Sequence, residues 1–271
     1  MDILRLTLAL LVPWAMGFAW LRAIETRLRP SVRASICRQL GYGLFLGYAI
    51  TELILTASFL AWDNASFWPL LLALIILAAA AVYLLRGSDG GARVASSPDG
   101  DAMPTQRLLS GLLLTWITLH LLLVAVEILY RPVYPWDGWT NWMYRAQAWF
   151  HSGAIPHFTS ATQWLQGSGP VDYNVPGSDY PTFVPALGMW MALALGEWSD
   201  TLVNLPVLLA GIALGLGLYG QCREAGSSAV LALAAVYLLL SIPLLGTHLA
   251  LAGGADIWLV GFTGLGYTAL L

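Results

Sequence analysis

The sequence has no lysine, only two cysteines and few charged residues of any kind. Charged residues make up 10% of the chain, whereas a soluble domain averages about a quarter. This deficit excludes an ordinary soluble domain. No basic stretch interleaved with aromatic residues is present, so nucleic acid is not an expected partner. Cys37 and Cys222 lie far apart and lack the spacing of a metal or redox motif.

Apolar residues, by contrast, make up 58% of the chain. They form runs of about twenty residues, the length at which a helix spans a bilayer. The composition therefore predicts an all-α integral membrane protein that contacts membrane lipid. About eight apolar helical segments are expected, at 3–21, 41–62, 66–85, 108–129, 181–196, 202–219, 228–249 and 255–271.

Arginine is concentrated in two connections, 22–40 with five arginines and 86–107 with three. Arginine-rich connections face the cytoplasm, so the long loop 130–180 should face the periplasm or exterior of a bacterial-type plasma (inner) membrane. Three parts follow from this pattern. They are an N-terminal three-helix membrane part at 1–85, a flexible Gly/Ser/Asp-rich linker at 86–107, and a membrane core at 108–271 that carries the loop.

Hydropathy leaves the membrane side of Asp256 open. If every apolar segment crosses the membrane, Asp256 lies on the cytoplasmic side. If the short segment 181–196 is re-entrant, or if two segments form one broken crossing, Asp256 returns to the outer side. The last run, 255–271, ends without a polar flank, so the chain is expected to be the start of a longer protein.

The polar loop 130–180 is the expected seat of function, because binding and catalytic groups collect in loops. Four of its residues recur at steps of three and four: Trp139, Trp142, Ala146 and Trp149. This spacing predicts a short amphipathic helix that lies in the membrane interface with its tryptophans in the lipid. Tyr144 and Arg145 fall on its polar side, where Arg145 is a candidate for binding a lipid phosphate.

Asp137 stands directly before this helix, and two interpretations of it stay open. Its carboxylate is either an N-cap for the free backbone N–H groups or a general base at the membrane surface. Asp179 is followed directly by Tyr180 and Pro181 at the entry to the next apolar segment. That position should hold Asp179 close to the lipid headgroups.

Ionisable residues within apolar segments are costly and therefore informative. Glu127 precedes Arg131 by four residues, which predicts a salt bridge at a helix end. Glu52 lies mid-segment, where an interhelical hydrogen bond is expected. His248 and Asp256 flank a small-residue stretch that predicts a break in a helix.

Three pieces of sequence then occur in order: Trp136-Asp137-Gly138-Trp139, Asp179-Tyr180-Pro181, and His248 with Gly254-Ala255-Asp256. Over about residues 108–271 this order resembles the GT-C class of membrane glycosyltransferases, specifically the branch of protein O-mannosyltransferases and aminoarabinose transferases. The chain departs from that branch in two ways. Members often have Asp-Glu where this chain has Asp137-Gly138, and here three helices precede the usual first one.

The resemblance implies an enzyme that moves a hexose or pentose from a polyprenyl-phosphate-linked donor on the outer membrane face. The acceptor would be an envelope glycan, lipid or protein whose identity the sequence does not give. By resemblance Asp137 would be the catalytic base and Asp256 a second active-site acid, and these two would be the ligands of the divalent metal that some members use. No other cofactor is implied.

The remaining candidate substrate-binding residues are Arg145, Trp139, Tyr144, Asp179, Tyr180 and His248. Two rival functions stay open. A transporter or flippase for lipid-linked saccharides would show an internal repeat with paired broken helices, which the sequence lacks. A non-catalytic assembly subunit is favoured by Gly138 and disfavoured by the pair of Asp137 and Asp256.

Overall fold

The structure is a computed structural model that describes residues 3–28, 34–62, 65–86, 103–156, 159–167 and 179–270. Residues 87–102 of the linker predicted at 86–107 lie outside the described residues, and its last four residues begin a helix. The described chain is helical and contains no strand. Its α-helices are α1 Ile3–Leu28, α2 Ile36–Trp62, α3 Phe67–Arg86, α4 Pro104–Tyr130, α5 Met143–Ser152, α6 Ala161–Leu165, α7 Phe183–Leu195, α8 Leu205–Glu224, α9 Ala229–Leu240, α10 Pro243–Ala250, α11 Asp256–Val260 and α12 Gly266–Leu270. Two π-helical turns, Gly138–Trp142 and Gly261–Leu265, lead into α5 and α12.

The described helices confirm a membrane protein. Five of them are long and apolar enough to cross a bilayer, namely α1, α2, α3, α4 and α8 with its leading turn. A sixth span is formed if α9 and α10, which meet at a bend of 67°, are counted as one. Eight full crossings are therefore not observed in this part of the chain. At 13 residues α7 is only about 20 Å long, against about 30 Å of hydrocarbon.

Glycine allows α1 and α2 to pack backbone against backbone. A β-carbon added at Gly17 would lie 2.0 Å from the carbonyl oxygen of Gly43, and one added at Gly47 would lie 1.9 Å from that of Pro13. Membrane helices associate through such small-residue faces because lipid offers no hydrophobic drive. These two antiparallel helices therefore form a fixed pair.

The α1–α2 pair packs directly on the later helices. A β-carbon at Gly41 would lie 2.4 Å from the backbone nitrogen of Gly217 on α8. Where α2 begins and α8 ends, Arg38 forms ion pairs with Glu25 at 2.7 Å and Glu224 at 2.9 Å. We call this side of the bundle the arginine end. The opposite side, where α1 begins and α2 ends, is the loop end.

Helix α7 lies at the loop end and does not cross the bundle. Near its start, Thr182 donates a hydrogen bond to Glu52 on α2 (2.7 Å). Near its other end, the carbonyl of Leu193 accepts from Arg5 in the first turn of α1 (2.6 Å). Both ends of α7 therefore meet the same half of the α1–α2 pair, and α8 starts again from the loop end.

The chain beyond α8 runs to the loop end and back. Helix α9 packs along α8, where Val236 meets Gly215. After α10 and a break at 251–255, the chain returns along α2. Trp258 meets Phe45 with ring centroids 5.9 Å apart, and the hydroxyl of Tyr42, nearer the arginine end, donates to the carbonyl of Leu265 (2.8 Å). Asp256, at the start of this return, therefore lies at the loop end.

Candidate functional site at the loop end

Two glycines that are more than a hundred residues apart in sequence, Gly138 and Gly253, pack against each other at the loop end. A β-carbon added at Gly138 would lie 3.4 Å from the carbonyl oxygen of Gly253 and 3.0 Å from the side chain of Val133. Gly253 itself has φ +110°, in the region that side chains rarely adopt. The contact joins the segment that carries Asp137 to the break that precedes Asp256. It therefore brings the two predicted acids to the same end of the bundle.

Asp137 does not cap the helix that follows it. An N-cap residue has non-helical backbone angles so that its side chain can fold back onto the helix end. Asp137 instead has helical angles, φ −65° and ψ −28°, and makes no capping hydrogen bond. Its carboxylate is exposed. The capping interpretation is therefore wrong, and the carboxylate stands open at the surface of the site.

Asp256 pairs with His248 across the helix break. One carboxylate oxygen lies 3.1 Å from Nδ1 of the imidazole, and the Asp256 side chain is 58% exposed. Asp256 is the first residue of α11 but makes no capping bond, because its side chain reaches back to α10. When Nδ1 carries the proton and donates it to the carboxylate, Nε2 is left free to accept a hydrogen bond.

The loop helix differs from the predicted interfacial helix. The π-helical turn Gly138–Trp142 inserts an extra residue, which rotates the following residues by about 100°. Trp139 is consequently exposed, whereas Trp142 and Trp149 point inward and are buried. Helix α5 packs on α7, where a β-carbon at Gly188 would lie 2.8 Å from that of Ala146. Most of the tryptophan stripe therefore contacts protein.

Arg145 is buried beneath the loop. Its side chain donates hydrogen bonds to the carbonyls of Tyr180 (2.9 Å) and Pro181 (3.4 Å), and the residue is only 2% exposed. Burial lowers the pKa of the Arg145 guanidinium, and the nearby Asp179 carboxylate raises it. Arg145, the candidate for binding a lipid phosphate, therefore binds the backbone that leads into α7.

The other candidate substrate-binding residues lie around this framework. Tyr180 is half exposed and its ring meets Trp142 at 5.5 Å, while Trp139 meets the exposed Trp136 at 5.1 Å. Tyr144 is half-buried on α5. These three exposed rings, Trp136, Trp139 and Tyr180, therefore lie at the same end as Asp137.

Two polar residues lie at the loop end although neither is among the candidate site residues predicted from the sequence. Asn204 is 2% exposed, donates to the carbonyl of Asp200 (2.8 Å), and holds its side-chain oxygen 3.6 Å from where a β-carbon of Gly253 would lie. That oxygen has no hydrogen-bond partner among the described residues. The available signal was its place directly before the Leu205-Pro206 helix start. Glu52 accepts a hydrogen bond from Thr182, which confirms the predicted interhelical bond.

Elsewhere at this end, Glu127 and Arg131 form the predicted salt bridge at 2.7 Å. For the possible metal, the described residues contain no group of three or more His, Cys, Asp or Glu side chains that could hold an ion. His248 and Asp256 supply two such side chains, fewer than the three protein ligands of a catalytic zinc site.

Comparison of the chain with protein-family models, with curated proteins and with solved structures finds no match.

Proposed function

We propose that this protein is a membrane glycosyltransferase. It moves a hexose or pentose from a polyprenyl-phosphate-linked donor to an envelope glycan, lipid or protein acceptor, with Asp137 as the general base. The observation that carries the proposal is the contact of Gly138 with Gly253, which puts Asp137 and Asp256 at the same end of a membrane bundle. The ordered resemblance to GT-C enzymes gives these two acids their roles.

The proposed reaction uses the carboxylate of Asp137, which makes no capping hydrogen bond and would lie at the membrane surface. The acceptor hydroxyl or amine attacks the anomeric carbon, and Asp137 accepts its proton. The bond between the anomeric carbon and the phosphate oxygen breaks, and its electron pair leaves with polyprenyl phosphate. The configuration at the anomeric carbon inverts. Asp256, held by His248, is placed to accept hydrogen bonds from sugar hydroxyls.

The loop end is proposed to face the periplasm or the cell exterior. In support, the arginine end carries Arg38, and the arginine-rich connection 22–40 joins α1 to α2 there. The positive-inside rule then assigns that end to the cytoplasm. A polyprenyl-linked donor would thus meet Asp137 on the outer leaflet.

A second candidate is a transporter for lipid-linked saccharides. The observation that favours it is the 67° bend between α9 and α10, followed by the break at 251–255, because broken helices line the substrate sites of transporters. An assembly subunit without catalysis is the third candidate. Neither rival gives a chemical role to Asp137.

The test is the glycan profile of the cell envelope, by mass spectrometry, in a strain that lacks the gene. Wild type is expected to restore a missing sugar, and Asp137→Asn is expected to lower its transfer about a thousandfold. Asp200→Asn is the matched control, because Asp200 is an exposed loop-end acid that accepts from Trp198 and an asparagine still can. Equal membrane levels must be shown by immunoblot. If Asp137→Asn restores the sugar as well as wild type, the catalytic proposal fails and the transporter and the assembly subunit remain.

A further inference from the structure

Glu52 is an acid within a membrane-spanning helix, and such residues usually serve function because they are costly. It lies on α2 ten residues before the helix ends at Trp62, and is half-buried. Its Oε1 accepts hydrogen bonds from Thr182 (2.7 Å) and Thr56 (3.2 Å). Among the described residues nothing hydrogen-bonds Oε2.

The surroundings of Glu52 connect it to the site. Tyr48 lies one turn before it on α2, and its ring centroid is 5.7 Å from that of Trp258. Phe183, which follows Thr182, meets the same Trp258 at 5.2 Å. These rings form an aromatic layer between α2, α7 and α11.

Glu52 and Asp256 border this aromatic layer on the same side. Glu52 stands one turn from Tyr48 toward the loop end, and Asp256 stands two residues from Trp258 in the same direction. Tyr48 and Trp258 are buried within the bundle, so the groups that a ligand could reach on this side are the half-buried Glu52 and the exposed Asp256. Carboxylates form strong charge-assisted hydrogen bonds with hydroxyl groups, of which a sugar carries several.

Position 52 holds a carboxylate although a neutral side chain could make the same structural contact. Thr182 could be held equally well by the neutral oxygen of a glutamine, which would avoid the cost of a charge in the span. Glu52 leaves Oε2 uncommitted while two threonines fix Oε1. We propose, resting on the glycosyl transfer proposed above, that Glu52 is a binding residue for the donor sugar, and that Oε2 accepts hydrogen bonds from the sugar hydroxyls.

Binding of three lipids by the full chain in nanodiscs tests this assignment. The glycosylated probes are polyprenyl-phosphate mannose and polyprenyl-phosphate arabinose, and the reference probe is polyprenyl phosphate without a sugar. Glu52→Gln keeps an oxygen for Thr182 but removes the charge and replaces Oε2 with a donor. Thr182→Val is the complementary variant, because it removes the tie to α7 and keeps the carboxylate.

Glu52→Gln is expected to bind the preferred glycosylated lipid about tenfold more weakly and unglycosylated lipid as wild type does. Its thermal unfolding temperature should match that of wild type, whereas Thr182→Val should unfold at a lower temperature. If Glu52→Gln binds all lipids as wild type does, or loses affinity for both kinds alike, Glu52 is a structural tie only and the assignment is overturned. If wild type binds neither glycosylated lipid more tightly than unglycosylated polyprenyl phosphate, the proposed glycosyl transfer is overturned, and the role of Glu52 that rests on it is overturned as well.

Discussion

The ion-paired residues at the arginine end differ in burial and pairing from the two candidate acids at the loop end. At the arginine end, Arg38 lies between Glu25 and Glu224, and all three side chains are at least partly buried in ion pairs. At the loop end, Asp137 is exposed without a capping bond, and Asp256 pairs with the half-exposed His248. The first arrangement fixes helices to one another, whereas the second leaves carboxylates available to a ligand.

This contrast separates stability from function in the same chain. A charge that is paired and enclosed costs much when its partner is removed, because the remaining charge is left without compensation. A charge that is exposed costs little to the fold when it is changed. Substitutions at the arginine end should therefore act on folding, and those at the loop-end acids on transfer.

Arg38→Met should give the largest loss of stability. It leaves Glu25 and Glu224 facing each other without a cation, at an expected cost of about 3 kcal/mol. Thermal unfolding in detergent measures the effect. Arg131→Met is the matched control, because its partner Glu127 is about half exposed and the pair is worth less than about 1 kcal/mol. Equal losses in the two variants would remove the contrast between the ends.

Arg145→Met is expected to cost about 2 kcal/mol, because the carbonyls of Tyr180 and Pro181 lose a charged donor. The unfolding temperature should fall, and binding of unglycosylated polyprenyl phosphate to the protein that remains folded should not change. Weaker phosphate binding at an unchanged unfolding temperature would instead show that Arg145 meets the lipid, as the sequence suggested.

The sequence predicted the long spans but not the path between them. Helices α1 to α4 and α8 follow directly from apolar runs. The segment 181–196 is equally apolar, but α7 has only 13 residues, 11 of them are buried within the protein, and both its ends contact the same half of the α1–α2 pair. Hydropathy reports that a residue avoids water, and it cannot tell whether lipid or protein surrounds it. For this reason hydropathy left open whether Asp256 and Asp137 lie at the same end, and the position of α7 at the loop end answers that question.

The candidate site was predicted only as separate pieces. Short-range spacing found the Glu127–Arg131 bridge, because helical neighbours are fixed by the helix itself. The contact of Gly138 with Gly253 depends on how α8 to α11 fold back, which no local pattern encodes. The π-helical turn at Gly138–Trp142 also shifted the tryptophan stripe, since regular spacing assumes an unbroken helix.

Gly253→Ala tests the contact between Gly138 and Gly253. Its effect on stability should be intermediate among the variants considered. The backbone at Gly253 has φ +110°, and an added methyl group would lie 3.3 Å from Val133 and 3.5 Å from Met143. The strain should cost about 1–2 kcal/mol and loosen the approach of the two acids. Both the unfolding temperature and sugar transfer should fall. Gly264→Ala, where a methyl group would meet nothing within 4 Å, is the control.

His248→Ala should have the smallest effect on stability and still impair transfer. Its pair with Asp256 is exposed, so its loss should cost less than about 1 kcal/mol and leave the unfolding temperature almost unchanged. Without the imidazole, the Asp256 carboxylate is free to leave its position, which should slow transfer by about tenfold to a hundredfold. Asp256→Asn should slow transfer to a similar extent, because both changes act on one carboxylate, and the double variant should be little worse than either single change. If the two losses multiply instead, His248 acts on the sugar independently of Asp256, and the loop end holds two separate groups where the geometry indicates one.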